Sequence, residues 1–355
     1  MRSHFMLLIA AASAATGCAS RPDPFAARDV SALYESRPMP NEGDAADDTA
    51  IWFSRENPWK SVIIGTNKQE GLAVYNMRGE QLFYYPIGRP NNVDVRHGFR
   101  LQKREIDIAV TEDRSPSLIR IFAINSKDGS LTEVTEGRIE VPEEVYGSCL
   151  YKSPDGTMYS FVGSKSGTVR QYRLVPTSNE KVTAELVREI KLDSQVEGMV
   201  ADDEAGVVYI GEEARGVWKF LAEPTGHTNG ILVSEVGRRN PLRAADVEGI
   251  SLYKTSDLEG YLLVSSQGSN EYVIFNREAP NAYVGTFRLV DLDGVDGTQD
   301  TDGIESSSVN LGPGFESGAF IAQDGTNDDG AQNFKIVPWI RIANAFDPPL
   351  DLVKD

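Results

Sequence analysis

"VEGMVAD" (196–202) and "VEGISLY" (247–253) begin alike, with an acid and a glycine leading into an apolar, strand-like run. "VYGSCLY" (145–151) comes before them and "TDGIESS" (301–307) after them. Gly147, Gly198 and Gly249 stand 51 positions apart, and Gly303 follows 54 later. Nearer the start, "DDTAIW" around Asp48 and "NVDVR" around Asp94 continue the series. A repeat of roughly 50 residues that holds several strands is the pattern of a β-propeller. Short runs such as "SVIIGT", "GLAVYN", "LIRIFAI" and "YLLVSS", rich in Val, Ile and Tyr and bounded by Gly, Asn, Asp or Pro, read as strands. Long helical periodicity is scarce. The fold predicted is all-β, a six-bladed β-propeller, with a β-sandwich of coincidental spacing as the competing architecture.

The chain has 355 residues, 40% of them hydrophobic, enough to bury a substantial core despite a formal net charge of −18. That acidity, with no basic stripe, argues against nucleic acid or an anionic membrane as partner. Residues 1–18 read as an export segment: Arg2, an apolar run from about Phe5 to Ala15, then small residues. Ala15-Thr16-Gly17-Cys18 resembles a bacterial lipobox, which would attach the protein to the cell envelope by lipid at Cys18. Ordinary cleavage and secretion is the competing reading, because the usual leucine is absent at Ala15. After processing only Cys149 remains, so no intrachain disulfide is available. Residues 19–43 read as a tether, 44–347 as one domain and 348–355 as a tail. A propeller closes its own ring, which predicts a monomer.

Equivalent positions of successive blades meet at one end of the central channel. Asp47, Asp48, Tyr146, Glu197, Glu248 and Asp302 stand at the starts of their repeats, with Glu212 and Asp246 close to such positions. The loop "DGTQDTDGIE" (296–305) adds further acids. Several carboxylates facing one channel repel unless cations lie between them, and hard oxygen donors without a Cys/His set favour Ca²⁺. Taken singly, each Asp-Gly pair would be an ordinary solvated turn.

"DDTAIWFSRENPWKSVIIGTNKQEGLAVYNMRGEQL", "YPIGRPNNVDVR", "EVYGSCLY", "VEGMVADDEAGVVYIGEEARGVWKF", "SSQGSNEYVIF", "DGTQDTDGIE" and "AQDG…QNFKIVPW" together resemble the β-propeller phytases over about residues 44–345. The resemblance implies calcium-dependent hydrolysis of phytate, myo-inositol hexakisphosphate, by water or hydroxide held on calcium, with inorganic phosphate as product. It implies catalytic calcium at Asp47, Tyr146, Glu197, Glu212, Asp246, Glu248, Gln267 and Asp302. Structural calcium would involve Asp48 and Asp296, with Asp324 nearby. Phosphate would be gripped by Lys68, Arg114 and Lys165, since an acidic chain needs local positive charge to hold a polyanion. Three positions depart from the family: Gln69 for a second lysine, Glu143 for an asparagine and Ser166 for a glutamate. The expectation is a weakened phosphate side and a retained metal cage. A non-catalytic calcium-binding propeller is the alternative function.

"RHGFR" (96–100) resembles the histidine-phosphatase signature, but Gln102 stands where proline is usual and the sequence has no His-Asp pair to donate a proton. His97 is therefore expected to be dispensable. Walker loops, G-x-S-x-G elbows and Cys/His metal spacings are absent.

Overall fold

The computed structural model describes residues 23–292, 294–328 and 330–353. Its strands form six sheets, antiparallel but for one added outer strand, arranged as the blades of a propeller. The innermost strands are Ala46–Trp52, Pro90–Leu101, Val145–Lys152, Val196–Asp202, Val247–Lys254 and Ile304–Ser307, each packed on the next around a closed ring. These are the six repeat marks of the sequence. Among the described residues the only α-helix is Trp339–Ala343, and no helix is long and apolar enough to cross a membrane. The export segment and Cys18 lie outside the described residues.

Alternation along the strands gives every sheet two apolar faces, so the core is divided into six layers between neighbouring blades. Between the first and second blades, Trp52, Ile64 and Val74 meet Val95, Ala109 and Phe122. Between the fifth and sixth, Tyr272 and Phe287 pack edge-on against Phe320, with ring centroids 5.0 and 5.3 Å away. Each such buried side chain contributes roughly 1.5–3 kcal/mol.

The repeated glycine belongs where inner strands touch. A Cβ on Gly147 would stand 1.9 Å from the Glu197 carbonyl oxygen, and one on Gly198 would stand 1.9 Å from that of Glu248. Only glycine allows this approach. Next to it, five of the six inner strands carry the same bulge, between Ala46 and Thr49, Pro90 and Val93, Val145 and Ser148, Val196 and Met199, and Val247 and Ile250. A bulge turns a side chain out of the regular alternation. Here it does so at the same level in blade after blade.

The ring is closed from the N-terminal side, which corrects the boundary at residue 43. Tyr34–Glu35 pairs antiparallel with Asn333–Pro338 as the outer strand of the sixth blade, and Arg28–Val30 adds a parallel fifth strand to the fifth blade. The supposed tether is therefore built into the sheets. The backbone of Asn333–Pro338 needs a partner on its outer edge, and Lys335, fully buried, needs the Glu35 carboxylate 2.7 Å away. The tail is likewise packed down: Leu350 is buried and Asp351 N donates to the Tyr261 hydroxyl. A chain beginning at Ser36 should lose about 1–3 kcal/mol of stability in a denaturant titration, since it opens a sheet edge and removes one of the three carboxylates around the buried Lys335 ammonium.

Candidate metal and phosphate site

Asp47, Asn91, Tyr146, Glu197 and Glu248 occupy the equivalent bulge position of the first five blades, and Asp302 lies two residues before the inner strand of the sixth. The bulges bring them to the mouth of the channel. Backbone bonds join the seam, with Gly249 N donating to Asp302 O (2.7 Å) and Gly303 N to Asp47 O (2.9 Å). Ligand oxygens of Glu197, Glu213 and Glu248 lie within 4.8 Å of one another, and all three residues are buried. Burial, with the charges of Asp47 and Asp302, pushes Glu197 well above the usual carboxylate range, and burial with the Glu197 charge does the same to Glu248. Glu213 is raised by burial, against the hydrogen bond from Gln195 (2.6 Å).

Lys68 is the counter-charge of this ring. Its Nζ lies 2.7 Å from Asp44, 2.8 Å from Asp47 and 2.8 Å from Asp302. Burial works against its charge, but Asp47 and Asp302 more than offset this and lift its pKa. Asp302, raised to about 7 by burial and by Asp47, also accepts from Gln267 Nε2 (2.6 Å). Burial and four neighbouring carboxylates, Glu197 foremost, raise Tyr146, so its hydroxyl keeps its proton. Lys165 stands over the Tyr146 ring, 4.9 Å from its centroid, and Asp246 acts on Glu213 through its charge.

Not every expected residue joins the cluster. Glu212 does not, and Glu213 takes its place. Glu212 Oε1 accepts from Asp193 N, Ser194 N and Ser194 Oγ, and Oε2 accepts from Trp218 Nε1. That carboxylate is fully engaged in holding the connection between the third and fourth blades. Asp48, one residue beyond the mouth, lines a channel cavity of about 340 Å³ with Asp94, Asp203 and Glu305, where Arg96 pairs with Asp94 and Asp203. Asp296 and Asp324 form a third group around Lys335, with Glu35 and Asn327. Arg114 follows the strand Arg104–Asp113, half-buried, with its Nε unpaired. The loop 296–305 thus shares its acids among three places, with Asp300 left at the surface.

Asn91 is not among the residues expected from the sequence, where Asp94 reads as the mark of the second blade. Strict repeat phase, the residue before the Gly, Asp or Asn of each bulge, would have selected Asn91. For Glu213 the signal was the doubled acid in "GEEARG".

The donor set fits a hard cation. Asp47 Oδ2, Asn91 Oδ1 and Glu248 Oε2 are buried without a hydrogen-bond partner, and three orphaned acceptors on neighbouring repeat positions call for positive charge.

His97 lies elsewhere. It is six residues beyond Asn91 on the same inner strand, roughly 20 Å away, with Nδ1 2.8 Å from Asp107 Oδ2 and its ring 4.0 Å from that of Phe53. A histidine–aspartate pair absent from the sequence is thus formed across a hairpin. Asp107 also accepts from Trp52 Nε1 and Gly98 N. Its carboxyl is half-buried, which opposes ionisation, yet the bonds from His97 and Trp52 hold it down at about 2.

The fold is a six-bladed propeller with an oxygen-only acidic mouth flanked by lysines, the setting of a metal-assisted phosphate hydrolase. The family model described as Phytase matches residues 2–355. A 3-phytase of Bacillus subtilis (strain 168) is 43% identical over 335 residues, covering 92% of this chain and 87% of that protein. The chain belongs to the Phytase family and is an enzyme, a phosphoric monoester hydrolase. Among solved structures, the β-propeller domain of Cps50 (Swd1) from Myceliophteria thermophila aligns with a TM-score of 0.45 at 6% identity, covering 82% of this chain and 83% of that one. BBS1N in complex with ARL6DN aligns at 0.47 and 14%, covering 81% and 78%.

Two outcomes follow. With chelator present, stability should fall as pH rises from about 5 to 8. Asp302 moves from 3.8 to about 7 on folding, and Glu112, on the strand Arg104–Asp113 and pushed up by its burial, from 4.5 to about 8, so in that window the folded chain holds protons that the unfolded chain has released. Calorimetric melting across that range reads the slope. His97→Ala should lose about 1–3 kcal/mol of stability and keep activity within about twofold of wild type, checked by denaturation and phosphate release. Abolished turnover in a folded variant would return the histidine mechanism.

Proposed function

We propose that this enzyme hydrolyses the phosphomonoesters of phytate and related inositol phosphates in a calcium-dependent reaction that releases inorganic phosphate. The observation that carries the reading is the set of orphaned buried oxygens in an oxygen-only cluster, placed beside Lys68 and Lys165. The similarity to a 3-phytase supports the substrate. Asp47, Asn91, Tyr146, Glu197, Glu213, Asp246, Glu248, Gln267 and Asp302 would hold the ions. When bound, calcium supplies positive charge against phosphate oxygens and polarises the attacking water.

The chain's own groups orient the ester. Lys68 carries three carboxylate partners, of which Asp44, with its side chain 75% exposed, is the one most cheaply exchanged for a phosphate oxygen. Lys165, beside Tyr146, offers a second cation for another oxygen or a neighbouring phosphate, and Arg114 a third with bidentate geometry. The protonated Tyr146 hydroxyl can donate to phosphate. A structural ion is assigned to the Glu35, Asp296, Asp324 and Asn327 group, and another to Asp48 in the channel. The export segment supports a lipid-anchored or secreted protein acting outside the cytoplasm, and the closed ring supports a monomer.

Phosphate release from phytate should require calcium and stop with chelator. Glu213→Gln should reduce it by about 10²-fold or more with the fold intact. Glu212→Gln should act first on thermal stability. Calcium-independent release, or a fully active Glu213→Gln variant, would contradict the reading. Stabilisation by calcium without any release would make the protein a binding propeller.

A further inference from the structure

Glu143 and Ser166 stand where an acid and a lost acid were expected to weaken phosphate binding, yet they bond to each other. Glu143 Oε2 accepts from Ser166 Oγ and from Ser164 Oγ (2.9 Å), while Oε1 accepts from Arg170 Nη2 (3.0 Å). Ser164 Oγ also accepts from Thr168 N (3.1 Å), closing the turn 164–168 around Gly167, whose φ is +82°. From the other side Lys191 Nζ donates to Ser166 O (2.6 Å) and Thr168 Oγ1 (3.0 Å). The turn is thus gripped on both flanks. Lys165, at its tip, reaches outward over Tyr146 and toward Glu144, 3.2 Å away.

We propose that Glu143 is a positioning residue for phosphate binding: it locks the turn that carries Lys165 and sets affinity for polyphosphorylated substrates through that lysine. This rests on the function proposed above. Arg170 and two hydroxyls engage the carboxylate, so its charge is compensated locally before it can oppose a phosphate at the site. Arg170, itself buried, is held by Glu189 at 2.7 Å. Fixing the turn reduces the entropy Lys165 loses when it meets an anion. Glu143 and Ser166 are then a matched pair, with one carboxylate serving the turn from the bend that precedes the strand Val145–Lys152.

The test compares wild type, E143A, E143A/S166E, K165Q and E143A/K165Q. It measures kcat and KM for phytate with calcium present, and the Kd of myo-inositol hexasulfate, a polyanion of the same shape. E143A should raise KM and Kd about fivefold or more with kcat within about twofold. Returning a carboxylate from position 166 should restore both to within about twofold, and E143A should add nothing in the K165Q background. Unchanged KM and Kd in E143A, a fall in kcat alone, or additive effects with K165Q would overturn the proposal. So would a double variant that regains its melting temperature but not its affinity. Wild type that binds hexasulfate but releases no phosphate would refute the function while the Kd values still decide the role of Glu143. Absence of binding by wild type would overturn both.

Discussion

Inner strands that approach within the reach of a glycine bring six repeat positions to one ring, and five of those positions carry an ionisable side chain, four of them carboxylates. Like charges at this separation and burial repel strongly. The chain answers with protons, lysines and open oxygen valences. Burial and neighbouring carboxylates raise the proton affinity of Asp302 and Glu248, Lys68 bridges the first and last blades at the seam, and Asp47, Asn91 and Glu248 keep acceptors unpaired. A site so constructed is costly when empty of positive charge and gains most from a divalent ion. Electrostatic strain at the mouth is therefore also the source of affinity for a cation and, through it, for an anionic substrate.

The same balance recurs away from the mouth. Lys335, wholly buried, sits among Glu35, Asp296 and Asp324 and ties the N-terminal strand to the last blade. Arg96 spans Asp94 and Asp203 in the channel, and Arg277 pairs with Asp202 between the fourth and fifth blades. Buried cations within and between the blades thus offset part of the negative charge of a strongly acidic chain.

The six inner strands were legible because glycine at a crowded seam leaves a periodic mark in the sequence. Closure of the ring was not: strands of three and two residues, Arg28–Val30 and Tyr34–Glu35, are too short to show a period and are defined by their partners. Most of the acids gathered at the mouth stand at repeat starts in the sequence, but nothing there separates Glu213 from Glu212, since adjacent residues point to opposite sides and a one-residue choice depends on where the strand ends. The role of Glu143 needed the facing turn, because a sequence reads it as an added negative charge and only geometry shows what neutralises it. The His97–Asp107 pair is likewise a product of strand register.

A cation entering the mouth of the channel would displace protons from its buried carboxylates. The most direct measurement is proton release when calcium is added to chelator-stripped protein at pH 6.5 in weak buffer. Saturable binding with measurable proton release is expected, as Asp302, Glu197 and Glu248 ionise around the ion. Binding without proton release, or no binding, would contradict it.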